Sequence, residues 1–214
     1  MNGLPPGPFE TKPTSMFSEH ERFMRVAIER AECARGHTGD NPWVGSVIVS
    51  ADHELVATGY TRGPGEDHAE IVALEEAAAQ GVCIAEATLY STLEPCAFHG
   101  RTPACAHAIV RAGVRRVAVG ILDPNPRVDG EGLRILREAG VEVIMDVCAR
   151  EVTRQLAPWI FRYHPSEPLR RFRALDEKTA SLEETMRLVC EHYGIDPSEC
   201  EELARRALDQ RTVR

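Results

Sequence analysis

The stretch "TLYSTLEPCAFHGRTPACAHAIVRAGVRRVAVGIL" (residues 88–122) decides the architecture. Its first residues, in "ATLYST", are β-branched and aromatic and read as a strand. "TPACAHAIVRAG" follows as a helix, with Thr102 as N-cap, Pro103 at the first helical position and Gly113 as the stop. "RRVAVGIL" is the next strand. A strand, a helix and a strand within 35 residues form a crossover unit, and such units build parallel sheets.

The pattern extends in both directions. Upstream, "HAEIVALEEAAAQG" from His68 is a helix whose apolar stripe is Ile71, Leu74 and Ala78 and whose stop is Gly81. Before it, Val44–Ser50 and Leu55–Tyr60 read as an antiparallel hairpin. Ser18 and Glu21 form a capping box ahead of a helix with Phe23, Val26, Ala27 and Ala31 on one face. Downstream come the loop "DPNPRVDG", the helix "EGLRILREAG", the strand "VEVIMDV" and a helix from Ala149 interrupted at Pro158. The expected fold is a three-layer α/β/α domain around a mixed sheet of about five strands. Residues 1–16 read as a flexible leader, 17–147 as the catalytic unit, and 148–214 as a helical extension.

Bulk properties narrow the function. The 214 residues are 43% hydrophobic and 27% charged, the composition of a globular protein. No apolar run approaches the ~20 residues of a membrane span, and the start lacks a secretory signal, so a cytoplasmic location is expected. A net charge of −8 disfavours a nucleic-acid partner and favours a small molecule. Seven cysteines in a reducing compartment point to metal or catalysis rather than disulfides.

The chemistry gathers at two helix starts. His68 and Glu70 stand at the first; Cys96 and Cys105 stand at or near the second. Helix N-termini favour thiolates, and one His, two Cys and a water make the open tetrahedral site of catalytic zinc. Two thiolates and a neutral imidazole balance Zn²⁺, so a carboxylate, Glu70, is needed to take and return a proton. His-x-Glu followed by Pro-Cys is the signature of zinc nucleobase deaminases. Taken singly, Asp67 with Glu70 reads equally as a capping box, and each cysteine as a small core residue.

With "NPWVG" (41–45), "HAE" (68–70), "TLEPCAFHGRTPAC" (92–105) and "DPNP" (123–126), the chain resembles the deaminase domain of the bifunctional riboflavin-biosynthesis deaminase/reductase, of the cytidine-deaminase-like superfamily. The resemblance implies hydrolysis of an amino group from 2,5-diamino-6-ribosylamino-4(3H)-pyrimidinone 5′-phosphate. It implies His68, Cys96 and Cys105 as zinc ligands and Glu70 as proton shuttle. Asn41 would bond the pyrimidine, Arg101 and Thr102 would lie beside the substrate, and Asp123 and Asn125 would contact the sugar-phosphate end. By themselves Asp123 and Asn125 are also ordinary turn residues, and Arg101 an ordinary solvated one. The family's habit and the helical tail suggest a homodimer or homotetramer.

The departures concern specificity. Thr61 stands where the family usually has His, and Phe98, followed by His99, stands where it often has another. The pocket is expected to be less polar there, so a related pterin-, purine- or pyrimidine-derived substrate is the alternative. After Val147 the sequence offers helices and no glycine-rich loop after a strand, so a stand-alone deaminase without the reductase is expected. A nucleic-acid-editing deaminase lacks its basic run here, and a non-catalytic zinc protein would not need Glu70.

Overall fold

The computed structural model describes residues 18–98, 104–125, 128 and 130–163. Five strands form one sheet: β1 (Gly45–Val49), β2 (Leu55–Tyr60), β3 (Thr88–Leu93), β4 (Arg116–Ile121) and β5 (Glu142–Ile144). Their order is β2-β1-β3-β4-β5. β1 runs antiparallel to both β2 and β3, and β3, β4 and β5 are mutually parallel. The helices are α1 (Glu19–Glu32), α2 (Ala69–Ala79), α3 (Cys105–Ala112), α4 (Glu131–Glu138) and α5 (Ala149–Tyr163).

Period-two alternation divides the strands between two cores. Val47 and Val49 of β1 and Ala118 of β4 join Phe23 and Met24 of α1 and Val152 and Leu156 of α5. Ile48, Val117 and Val119 face the other way, towards Ile109 of α3 and Leu133 and Leu136 of α4. Each fully buried side chain of this size contributes about 1.5–3 kcal/mol, which holds three layers together. This is the expected α/β/α arrangement on a mixed five-stranded sheet.

The Ser18–Glu21 capping box forms as expected, with both reciprocal bonds present. Three local expectations need correction. α2 buries Ala69, Ala73 and Ala77 rather than the stripe Ile71, Leu74 and Ala78. The reason is distance: a Cβ on Gly59 of β2 would lie 2.1 Å from the Ala69 carbonyl, so the helix rests on the sheet through its smallest residues. α3 has Ala104, not Thr102, as its N-cap residue. α5 runs through Pro158 without interruption. It begins two residues beyond the expected limit at 147, yet Val152, Leu156, Trp159 and Ile160 pack into the first core.

Among the described residues, no helix is long and apolar enough to cross a membrane. The parallel strands β3 and β4 end side by side, and the segments beyond their carboxyl ends lead towards α3 and α4. Ligand sites of α/β sheets form at such ends.

Candidate active site

Residue by residue, the site grows from element ends. His68 is the N-cap of α2 but makes no capping bond with its side chain. Its Nδ1 lies 3.7 Å from Cys96 Sγ and 3.4 Å from Cys105 Sγ. Cys96 follows β3 through Glu94 and Pro95, and the start of α3 pins it. The Cys105 N–H donates to Cys96 Sγ at 3.3 Å and the Ala106 N–H to the Cys96 carbonyl at 3.1 Å. Glu70, 3% exposed, sits in the first turn of α2, where Ser91 Oγ donates to its Oε1 at 3.3 Å. The capping-box reading of Asp67 and Glu70 therefore gives way to a buried carboxylate facing the thiols.

The three donor atoms lie within 4.8 Å of one another. A tetrahedral zinc bonded at about 2.3 Å to sulfur and about 2.0 Å to nitrogen holds those atoms about 3.5 Å apart. The two measured S···N separations bracket that value.

The electrostatics agree. Its bond with the Cys105 thiol, with help from His68, pulls the Cys96 thiol down to about 4, whereas the same bond and burial push Cys105 well up. The bond to Cys96 raises His68, and burial raises Glu70. One thiolate cannot coexist with a second in so small a buried space unless a cation joins them. The donor set thus fits a divalent, thiophilic metal.

His68, Glu70 and Cys96 open onto a cavity of about 360 Å³, into which Asn41, Thr61, Phe98, Asp123 and Asn125 also face. Asn41 sits in a turn closed by Thr38, whose Oγ1 donates to the Asn41 carbonyl at 2.7 Å. The Thr61 hydroxyl is committed to the backbone, accepting the Val44 N–H at 3.1 Å. Phe98 is 42% exposed. Burial raises the Asp123 carboxyl from 3.8 to about 6, although the Asn125 N–H donates to it at 2.8 Å. His99, Arg101 and Thr102 lie outside the described residues.

Two further residues of this cavity escaped the sequence reading. Glu94, 3% exposed, accepts the N–H groups of Asp123, Gly130 and Gly132 at 3.3, 3.2 and 3.0 Å. It ties the segment before Cys96 to the β4–α4 loop and to the start of α4. An acidic residue straight after an apolar strand was the available signal. Trp159 arrives from α5, more than 50 residues from either cysteine, and nothing in its neighbourhood announces it.

The family described as "Cytidine and deoxycytidylate deaminase zinc-binding region" matches residues 17–121. The riboflavin biosynthesis protein RibD of Aquifex aeolicus is 42% identical over 165 residues, covering 76% of this chain and 45% of the relative. RibD of Escherichia coli is 47% identical over 125 residues, covering 58% of this chain and 33% of the relative. The solved structure of Acinetobacter baumannii RibD superposes with a TM-score of 0.63 at 40% identity, covering 69% of this chain and 40% of the other. A Thermotoga maritima diaminohydroxyphosphoribosylaminopyrimidine deaminase/5-amino-6-(5-phosphoribosylamino)uracil reductase gives the same TM-score, 0.63, and identity, 40%, covering 66% and 40% of the two chains. The chain spans less than half the length of these relatives.

Proposed function

We propose that the chain, whose residues 17–121 match the family described as "Cytidine and deoxycytidylate deaminase zinc-binding region", is a hydrolytic deaminase of the diaminohydroxyphosphoribosylaminopyrimidine of riboflavin biosynthesis. The observation that carries the reading is the convergence of His68, Cys96 and Cys105 beside buried Glu70 at one cavity. His68 Nδ1 and the two Sγ atoms would hold zinc. When bound, the metal acidifies a water for attack on the ring carbon that bears the amino group.

The chain's own residues do the rest. Ser91 donates to one Glu70 oxygen and so orients the carboxylate, which takes the water's proton and delivers it to the departing amine. Burial, which raises the Glu70 carboxyl, favours the state in which it holds that proton. Asn41 presents an amide, donor and acceptor together, to the edge of a pyrimidine. Asp123 and Asn125 offer hydrogen bonds to the ribose end, where Arg101 and Thr102 would also act.

A second reading keeps the reaction and changes the heterocycle. It is supported by Thr61, whose hydroxyl is spent on Val44, and by the exposed Phe98 ring at the cavity. Cytoplasmic action as a homodimer or homotetramer completes the proposal.

The test is ammonia release from the riboflavin pyrimidine, its dephosphorylated form, cytidine, and guanine- and pterin-type heterocycles. Highest kcat/KM on the phosphorylated pyrimidine supports the first reading; a preference for another ring supports the second. Glu70→Gln should keep zinc and lose about 10²–10⁴-fold in turnover. Near-normal turnover in that variant would overturn the mechanism.

A further inference from the structure

The fold delivers Trp159 to the cavity from a helix that lies beyond the family-matched residues 17–121. Its indole is 4% exposed and packs in the first core, while part of it lines the cavity. Its Nε1–H donates to the Asp40 carbonyl at 2.9 Å. Asp40 immediately precedes Asn41, and the Asn41 N–H returns to the Thr38 carbonyl at 3.1 Å. The turn that presents Asn41 is therefore held from inside by Thr38 and from outside by Trp159.

The helix that carries the indole is itself clamped. Arg25 of α1 pairs with Glu151 at 2.7 Å, and Gln155 Nε2 donates to the Ile28 carbonyl and to Glu32, each at 2.8 Å. A flat aromatic ring, fixed in a cavity wall, offers an apolar face to a heterocycle and limits how wide that heterocycle can be. Its N–H at the same time holds the carbonyl of Asp40, the residue before Asn41.

We infer that Trp159 is a specificity-determining residue of this cavity, its ring restricting the width of the bound heterocycle and its N–H positioning Asn41. The inference rests on the deaminase reading and assigns the selectivity of that same site.

Two substitutions separate the two roles. Trp159→Phe keeps an aromatic ring and removes the bond to Asp40. KM for the pyrimidine nucleotide should rise about 3–10-fold, the loss of one hydrogen bond, with kcat within about twofold. Trp159→Leu removes the wall. The kcat/KM of guanine- and pterin-type two-ring heterocycles relative to the pyrimidine should rise about tenfold or more. An unchanged KM in the Phe variant, or a Leu variant that loses the same factor on every substrate, would mean that Trp159 only packs the core.

A binding readout covers a Leu variant that fails to fold. The chain has two tryptophans, and Trp43 does not line the cavity, so in Trp43→Phe the remaining indole is Trp159. Titration with the deaminated pyrimidine nucleotide should change its emission saturably. Emission that stays flat where calorimetry records binding overturns the inference. A protein that binds and responds but releases no ammonia from any substrate fails the deaminase reading alone.

Discussion

The cavity has two sides that are built differently. On the metal side, each chemical group sits at or near the start of a helix: His68 and Glu70 at α2, Cys105 at α3, and Cys96 bonded to the α3 N-terminus. On the substrate side, Asn41 stands in a turn held by Trp159, and Asp123 stands in a loop held by Glu94. Helix starts are local properties of the chain, so the reactive groups are placed by short-range structure. The loops obtain their positions from residues remote in sequence. The two sides are therefore held by different sets of residues.

The largest effect should come from the metal side. Cys105→Ser replaces a thiolate donor, and most of the zinc and nearly all activity should be lost, measured by metal analysis of the purified protein. Unchanged metal content would break the ligand assignment and with it the contrast between the two sides.

Glu94 tests the other side. Glu94→Ala leaves the N–H groups of Asp123, Gly130 and Gly132 without their acceptor, two of them at the start of α4. A cost of about 2–4 kcal/mol in denaturant unfolding is expected, together with a raised KM and retained zinc. Loss of zinc instead would show that Glu94 serves the metal segment more than the loop.

Asp123 offers a smaller, pH-dependent test in the metal-free protein. Burial raises its carboxyl from 3.8 to about 6, so the folded state disfavours the charged form. The wild-type contribution becomes less unfavourable as pH falls from about 6 towards 3.8. Asp123→Asn should therefore melt at a higher temperature than wild type above pH 6, with the gain fading as pH drops towards 3.8. A gain that does not vary with pH would place its origin in packing rather than charge.

Much of the fold was legible because it follows periodicity and punctuation. The Ser18–Glu21 box, the hairpin and the alternating helices and strands all stand where the sequence places them. The errors have a common cause. The sequence of α2 favours Ile71 and Leu74 as the buried stripe, but the approach of Gly59 to Ala69 selects the alanine face. Pro158 reads as a break, yet α5 continues through it while Leu156, Trp159 and Ile160 are buried against the sheet and α1. In both cases packing with a remote partner outweighs a local preference.

By itself, the sequence determined the layered architecture, the His/Cys/Cys group that could hold a metal and the carboxylate beside it. Each depends on residue type and on position relative to a helix or strand end, which a chain carries locally. Only the tertiary structure decided that Glu94 holds the Asp123 loop and that Trp159 walls the cavity and holds the Asn41 turn. Those contacts join residues 29 and 119 positions apart, and such closures arise only when the sheet and its helices have packed.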